Sequence, residues 1–131
     1  MGELRLLLDT HALLWWLFDS PQLSPRVRGE LADPLNEILV SAATAWEITT
    51  KHRLGKLGGV DALVDDMAGW VLRAGFTELP VSLRHGQVAG SWPHAHRDPF
   101  DRMLAAQSAI EGLPLVTQDP AFEEFGLELV W

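Results

Sequence analysis

The sequence contains no cysteine and no tyrosine, and it has no long hydrophobic run. Without cysteine the chain cannot form disulfides or use thiolate chemistry, which is compatible with a cytosolic location. Its longest apolar stretch, residues 12–18, is far shorter than the roughly 20 residues that span a bilayer. Residues 4–8 are bracketed by Glu3 and Asp9 and lack the basic start and cleavage site of a signal peptide. We therefore expect a cytoplasmic protein with no membrane association.

Repeats, low-complexity tracts and linkers are also absent from the 131 residues. The hydrophobic share of 47% and the mean hydropathy of +0.06 are typical of a globular chain. A chain of this length buries roughly two-thirds of the surface that it exposes when unfolded. The sequence thus predicts a single domain over residues 1–131.

Positive charge is scarce: 10 Lys and Arg stand against 18 Asp and Glu, a net charge of −8. Proteins that bind nucleic acid through its phosphates alone are usually basic. A nucleic-acid hypothesis therefore requires grouped basic residues, a metal that neutralises the acids, or a basic partner. Lys51, Arg53 and Lys56 are grouped, as are Arg97 and Arg102, and both groups lie close in sequence to acidic residues.

Short apolar runs alternate with helical patterns along the chain. We expect five strands, at residues 4–8, 38–41, 77–81, 115–117 and 127–130. Helices are expected at residues 11–18, 25–32, 44–53, 61–75, 82–89 and 98–112, with a loop at 93–97. This alternation predicts an α/β fold in three layers, with a parallel sheet of four to five strands between helices.

Several helices begin with recognisable capping residues. Ser24-Pro25 and Asp98-Pro99 each combine a favoured cap with proline at the first helical position, and Asp119-Pro120 repeats the pattern. Thr44 and Glu47 have the spacing of a capping box. Asp61 is expected to cap the helix that follows it.

Carboxylates stand where the apolar runs end and where helices begin. Asp9 follows the first strand, Asp119 follows the fourth, and Glu47, Asp98 and Asp101 open helices between them. The carboxyl ends of parallel strands meet at one edge of a sheet, where ligands bind. Like charges gathered there repel unless a cation joins them, so the pattern predicts a divalent-metal site.

Each acid also has a purely structural interpretation. Asp9 and Asp119 have the positions of helix caps, and Glu47 could pair with Lys51 four residues later. Asp98 precedes proline and is expected to be a cap, whereas Asp101 is expected to project from the first turn with its charge free. Asp101 is therefore the better metal ligand of that pair.

Other catalytic patterns are weak or missing. His94-Ala95-His96 falls short of a zinc site and is more typical of a solvated loop or an RNA contact. There is no nucleophile-elbow serine and no glycine-rich nucleotide loop. Trp15 and Trp16 are expected in the core, although six tryptophans make at least one interfacial indole plausible.

Taken in order, several segments resemble the PIN-domain ribonucleases, and among them the VapC toxins of toxin–antitoxin pairs. These segments are Leu-Leu-Asp-Thr-His-Ala-Leu-Leu-Trp (7–15), Ser-Ala-Ala-Thr-Ala-Trp-Glu-Ile (41–48), Gly-Lys-Leu (55–57), His-Arg-Asp-Pro-Phe-Asp-Arg-Met-Leu-Ala-Ala-Gln (96–107) and Leu-Val-Thr-Gln-Asp (115–119). Each is weak alone, but the ordered set over nearly the whole chain is specific.

The resemblance implies a PIN fold and an endoribonuclease that depends on Mg²⁺ or Mn²⁺. The implied metal ligands and catalytic residues are Asp9, Glu47, Asp101 and Asp119, with Asp98 as an additional acid of less certain role. Thr10 and Thr117 match the hydroxyl residues that accompany these acids. Lys51 and Arg102 are candidates for binding RNA phosphates. Cleavage of tRNA, rRNA or mRNA would leave a 5′-phosphate and a 3′-hydroxyl.

The resemblance also implies partners. Family members are neutralised by a VapB-type antitoxin, whose C-terminal segment lies in a groove beside the active site and can place a basic residue among the acids. We expect Trp15, Trp16, Trp46 and the helices of residues 47–72 to form the apolar wall of that groove. A homodimer that assembles with the antitoxin into a hetero-oligomer is expected.

Three alternatives remain. A catalytically silent PIN-like domain that binds RNA or protein would lack some of the acids, and the complete set argues against it. A phosphoacceptor receiver domain needs a lysine after a late strand, but the last lysine here is Lys56. A phosphatase with an aspartate nucleophile would need a second aspartate two residues after Asp9, where His11 stands.

Overall fold

The computed structural model describes residues 3–131 and contains one sheet of five parallel strands in the order β3-β2-β1-β4-β5. The strands are β1 (Arg5–Leu8), β2 (Glu37–Ser41), β3 (Thr77–Leu79), β4 (Leu115–Val116) and β5 (Leu129–Val130). The predicted α/β fold and its five strands are confirmed. The third strand is shorter than expected because Pro80 follows it, and proline cannot donate a backbone hydrogen bond to a neighbouring strand.

Seven α-helices and one 3₁₀ helix connect these strands within residues 3–131. They are α1 (Thr10–Leu17), α2 (Pro25–Ala32), α3 (Ala42–Arg53), α4 (Asp61–Asp65), α5 (Met67–Arg73), α6 (Leu83–Ser91), α7 (Pro99–Glu111) and the 3₁₀ helix Pro120–Phe125. Ser24, Asp98 and Asp119 cap α2, α7 and the 3₁₀ helix, as predicted. None of the helices in this part of the chain has both the length and the hydrophobicity needed to cross a bilayer.

The single helix predicted from Asp61 to Gly75 is wrong, because the chain forms two helices there. Asp66 leaves the helical conformation (φ −152°, ψ 62°) and caps α5 by accepting a hydrogen bond from the Gly69 N–H at 3.0 Å. Short polar side chains favour such caps over helix interiors. The glycine permits the close approach, because a Cβ at position 69 would lie 2.1 Å from Asp66 Oδ2. Asp61 makes no side-chain cap.

Alternate residues of the central strands face opposite layers. Leu6, Leu8 and Val40 pack with helices α1 to α4, whereas Leu7 and Leu39 pack with α7 and the 3₁₀ helix. Side chains alternate across a strand, so a strand buried on both faces is apolar throughout. The sheet is therefore the middle of three layers, as predicted.

The direction of the connections reverses between β1 and β4, which are neighbours at the centre of the sheet. From β1 the chain proceeds to β2 and β3 on one side, and it later returns to β4 and β5 on the other. Such a reversal opens a crevice at the carboxyl ends of the two central strands. Asp9 follows β1 and Thr117 follows β4, so both lie at this crevice.

Candidate functional site

Asp9 lies at the crevice and is almost completely buried, with 6% of its surface exposed. One carboxylate oxygen caps α1 by accepting the Ala12 N–H at 2.7 Å. Burial raises the pKa of Asp9, the neighbouring Thr117 hydroxyl and the Ala12 N–H oppose this shift, and the charge of Asp119 reinforces it. Asp9 is therefore both a cap and a carboxylate whose charge is poorly solvated. Since the cap uses only Oδ1, the second oxygen keeps its capacity for another partner.

Asp119 lies across the crevice from Asp9, after β4. Its N–H donates to the buried Thr117 hydroxyl at 3.0 Å, and its own Oδ1 accepts the Ala121 N–H at 2.9 Å. Asp119 is exposed, but its charge is close enough to disfavour ionisation of Asp9. These two aspartates and Thr117 form the first half of the site.

Glu47 is the most buried of the five acids, with 4% of its surface exposed. Its Oε1 accepts the Thr10 hydroxyl at 2.5 Å, and its Oε2 accepts from the Lys51 ammonium. The Thr10 hydrogen bond joins the start of α1, directly after Asp9, to α3. Thr10 thus connects the first half of the site to Glu47, which forms the second half together with Asp98 and Asp101.

The predicted capping box of Thr44 and Glu47 is wrong. Ser41, the last residue of β2, caps α3 by accepting the Ala43 N–H at 3.0 Å. The helix begins directly after the strand, so Thr44 already lies inside its first turn. Thr44 Oγ1 is buried and has no hydrogen-bond partner within the described part of the chain. Because Thr44 lies three residues before Glu47, the two side chains share a face of α3.

Asp98 and Asp101 occupy the positions expected from the sequence, as the cap and the third residue of α7. Asp98 Oδ1 accepts the N–H groups of Phe100 and Asp101 at 2.9 and 3.1 Å. The prediction that the charge of Asp101 is free is wrong, because His96 Nε2 lies 2.9 Å from Asp101 Oδ2. Burial raises the pKa of Asp101 to about 6, and the charges of Asp98 and Glu47 act in the same direction. The hydrogen bond to His96 opposes this shift.

Lys51 brings positive charge to the second half of the site. The hydrogen bond to Glu47 raises its pKa, and the charges of Glu47, Asp98 and Asp101 act in the same direction against the effect of burial. Its ammonium therefore lies in the combined field of three carboxylates, two of which belong to α7. From the sequence, the only interaction predicted between Lys51 and these acids was the pair with Glu47, four residues earlier on the same helix.

Arg102, which the sequence analysis offered as a candidate for binding RNA phosphate, has a structural role in the described residues. Its guanidinium donates four hydrogen bonds of 2.5–2.8 Å to backbone oxygens, namely those of Ala89, Trp92, His94 and His96. These bonds use Nε and both terminal nitrogens and tie the loop before α7 to the helix. The loop is thereby held so that His96 contacts Asp101.

The two histidines of this loop both pack against Phe125, but their other contacts differ. His94 packs edge-on against Trp92 and Phe125, with ring centroids 4.8 Å apart in each case. The His96 N–H donates to Glu124 at 2.8 Å, and its ring contacts Asp101. The sequence pattern suggested neither contact, and the only available signal was that His96 precedes Asp101 by five residues.

Gln107 is a further residue whose role the sequence did not reveal. It is fully buried in α7 and accepts the Ser41 hydroxyl at 2.5 Å. Its amide nitrogen donates to the Pro80 carbonyl at 3.1 Å. Gln107 thus joins α7 to the carboxyl end of β2, where α3 and Glu47 begin. The signal was a polar residue on an otherwise apolar helix face.

The tryptophans expected to line a partner groove are not equivalent. Trp15 stacks on His11 and meets Trp131, and Trp16 packs against Phe76, so both are partly buried against the core. Trp46 is 57% exposed and contacts Phe100 at a centroid distance of 4.7 Å.

A largely apolar groove of about 460 Å³ lies between α3 and α5. Its lining residues are Val40, Ser41, Ala42, Ala45, Met67, Ala68, Val71, Leu72, Phe76 and Glu78. None of the three expected tryptophans is among them. That the helices of residues 47–72 line a partner groove stays a prediction.

The five acids are brought to one edge of the sheet in two halves. Asp9 and Asp119 interact across the β1–β4 crevice, whereas Glu47, Asp98 and Asp101 interact between α3 and α7. Within residues 3–131, no three Asp, Glu or His side chains converge as a metal cage in their present rotamers. The donors are hard carboxylate oxygens, which suit Mg²⁺ or Mn²⁺. Among the described residues, the buried Thr44 hydroxyl, one turn before Glu47, has no hydrogen-bond partner.

Comparison with known proteins identifies the family. A sequence model described as the PIN domain matches residues 6–127. The chain belongs to the PIN domain family. The resemblance noted from the sequence motifs is therefore confirmed at the level of the domain, and no curated protein shows significant sequence similarity to the chain.

Solved structures similar to this PIN domain include chains from three complexes. The crystal structure of VapBC2 from Rickettsia felis, bound to a DNA fragment from its promoter, matches with a TM-score of 0.70 and 17% identity, covering 97% of this chain and 98% of that chain. FitAcB from Neisseria gonorrhoeae matches with a TM-score of 0.67 and 20% identity, covering 96% of both chains. A toxin–antitoxin complex from Klebsiella pneumoniae matches with a TM-score of 0.61 and 17% identity, again over 96% of each. At these identities the similarity concerns the fold.

The raised pKa of Asp101 predicts a pH-dependent gain in stability for Asp101→Asn. The carboxyl binds a proton more tightly in the folded protein than in the unfolded chain, so stability falls as pH rises from 3.8 to about 6. In EDTA at pH 7, Asp101→Asn should raise the free energy of unfolding by up to about 3 kcal/mol. Urea unfolding should show the gain above pH 6 and no gain below pH 4. A gain that is independent of pH would contradict this.

The structural role of Arg102 is tested by Arg102→Ala. Removing the guanidinium leaves four carbonyl groups without their donor, so the free energy of unfolding should fall by about 2–3 kcal/mol. The exposed neighbour Arg97 is the control, and Arg97→Ala should change the value by less than about 0.5 kcal/mol. Full stability with weakened RNA binding in Arg102→Ala would instead support the phosphate contact predicted from the sequence.

Proposed function

We propose that this PIN domain is a VapC-type toxin, an endoribonuclease that depends on Mg²⁺ or Mn²⁺ and is neutralised by a VapB-type antitoxin. The observation that carries the proposal is the gathering of five acids at the carboxyl edge of the sheet, with Asp9 and Glu47 buried. Burying carboxylates costs free energy unless a cation or donors compensate their charge. An edge built only for stability would not need this arrangement.

Asp9, Glu47, Asp101 and Asp119 are the proposed metal ligands, and Asp98 remains chiefly a cap. When bound, the divalent cation supplies Lewis-acid polarisation of the phosphate and a water of lowered pKa. Thr10 fixes the Glu47 carboxylate through its hydroxyl, and His96 fixes Asp101. Thr117 orients the backbone of Asp119 beside Asp9. These contacts hold the oxygens in place before substrate binds, which reduces the cost of reorganisation during the reaction.

A catalytically silent PIN domain is the competing function. Such a domain has no need for the unfavourable burial of Asp9 or the raised pKa of Asp101. Perturbed acids in a crevice are typical of functional sites, although structural networks also perturb them. The complete acid set favours the enzyme.

The enzyme proposal predicts that Asp9→Asn abolishes RNA cleavage while the protein stays folded. Asparagine is as good a helix cap as aspartate, so the substitution removes a charge and keeps the hydrogen bond to the Ala12 N–H. Activity should fall at least about 100-fold, and excess EDTA should have the same effect on the unaltered protein. Cleavage is measured on total RNA by mapping new 5′ ends.

Asp33→Asn is the matched control, because it makes the same chemical change in a turn away from the sheet edge. Asp33 accepts the Leu35 N–H at 2.9 Å, which the amide oxygen can also do. This variant should cleave RNA like the unaltered protein. Full activity of Asp9→Asn would contradict the proposal.

The proposed antitoxin would lie in the groove between α3 and α5. This groove is apolar and adjoins the first turn of α3, and the similar structures named above include toxin–antitoxin complexes. A basic residue of the antitoxin that reached the acids would gain strong electrostatic attraction in a partly desolvated pocket.

Leu72→Asp should therefore weaken binding of the co-encoded antitoxin at least about tenfold, because it places a charge in an apolar contact. Leu72 lines the groove and is largely exposed, so the fold should tolerate the change. Leu83→Asp is the control, since Leu83 is also exposed but does not line the groove. Calorimetry gives both affinities. Equal antitoxin affinities of the Leu72→Asp and Leu83→Asp variants would count against this groove. Unchanged affinity of the unaltered protein for an antitoxin that lacks its C-terminal segment would also count against it.

A further inference from the structure

Glu47 has no carboxylate oxygen without a partner in this structure. The Thr10 hydroxyl donates to Oε1 at 2.5 Å, and the Lys51 ammonium donates to Oε2. Thr10 is a neutral donor that leaves a lone pair on Oε1, whereas Lys51 places a full positive charge where a cation bound to Oε2 would lie. Glu47 is thus already paired with a cation that belongs to the chain itself.

The surroundings of Lys51 extend this pairing beyond one carboxylate. Its ammonium is stabilised by the charges of Glu47, Asp98 and Asp101, which come from α3 and α7. Within this group, the charges of Asp98 and Glu47 both raise the pKa of Asp101 and so disfavour its ionisation. Lys51 therefore neutralises part of the negative charge of Glu47, Asp98 and Asp101 and reduces the repulsion among them.

A divalent cation and the Lys51 ammonium cannot share this position. Both carry positive charge, and close approach of like charges is unfavourable in a partly desolvated site. The side chain of Lys51 is also long, and 38% of it is exposed. It can turn toward solvent without disturbing the core, because lysine keeps its charged end in water when its stem is anchored.

We propose that Lys51 is an internal counter-ion that occupies the metal side of Glu47 and must leave Oε2 before a divalent cation can bind there. This inference rests on the proposed metal-dependent function. Lys51 stabilises the metal-free protein and weakens its affinity for metal, so it sets the cation concentration at which the site fills.

Lys51→Met tests the proposal, because methionine retains an unbranched apolar side chain and loses the charge. Mn²⁺ and Mg²⁺ affinities are measured by titration calorimetry on the full chain in the absence of RNA. We expect the dissociation constant for Mn²⁺ to fall about tenfold, within the usual range of coupling between two ligands. The rise in Tm on adding Mn²⁺ should also be larger in the variant, since its metal-free state lacks the counter-ion.

Lys56→Met is the matched control, because it removes the same charge from an exposed position on the segment after α3. It should leave the dissociation constant within about twofold, since a charge in contact with solvent interacts only weakly with the acids. Equal tightening in both variants would show that net charge alone is responsible and would overturn the role of Lys51.

The remaining outcomes separate this inference from the proposed function. If the unaltered protein binds Mn²⁺ and Lys51→Met binds it equally or more weakly, the metal site stands and the counter-ion role is refuted. If no variant binds Mn²⁺ or Mg²⁺ at millimolar concentration, the metal-dependent function and this inference both fail.

Discussion

Repulsion among carboxylates at one edge of the sheet is the constraint on which the rest of the site depends. The reversal of connections between β1 and β4 brings Asp9 and Asp119 together, and the start of α3 brings Glu47 toward α7. Burial then removes the water that would screen these charges. Each polar contact nearby reduces the free-energy cost of burying these carboxylates, and the donors are of four kinds: a backbone N–H, a hydroxyl, an imidazole and an ammonium.

These contacts divide into rigid and removable ones. The bond from the Ala12 N–H to Asp9 has a backbone donor in the first turn of α1 and cannot be released without unfolding that turn, and the Thr10 hydroxyl that binds Glu47 is carried on a short, buried side chain. The ammonium of Lys51 stands at the end of a flexible side chain, so its contact with Glu47 can be released. His96 lies between these extremes, because its loop is fastened by Arg102. The site therefore has fixed donors for orientation and a movable cation for charge balance.

The fold was predictable from the sequence because its signals are local. Apolar runs marked the strands, and Ser24 and Asp98 before proline marked helix starts. The acids were predictable as a group because parallel strands end at the same edge. The capping box predicted from Thr44 and Glu47 was wrong because its spacing describes only two residues, whereas Ser41 at the end of β2 is placed to cap α3.

The contacts that set the chemistry were not predictable, because they join residues distant in sequence or depend on the path of a loop. Thr10 and Glu47 are separated by 37 positions and meet only because β1 and β2 are neighbours. Arg102 could not be distinguished from a phosphate ligand, because an arginine beside acids looks the same when its partners are backbone carbonyls. Side-chain type and spacing identify candidate site residues, and the course of the folded chain determines which contacts, and hence which roles, those residues have.

The net charge of −8 acquires a physical meaning from these pairings. Several of the ten basic residues are already engaged: Arg5, Arg28, Lys51 and Arg73 form ion pairs, and Arg102 binds carbonyls. Of these five, Lys51 is the one whose charge interacts with the acidic edge. A phosphodiester that approaches this edge would meet repulsion unless cations neutralise the carboxylates first. On the proposed function, metal binding must then precede or accompany RNA binding, and a basic segment of an antitoxin would satisfy the same electrostatic demand without permitting chemistry.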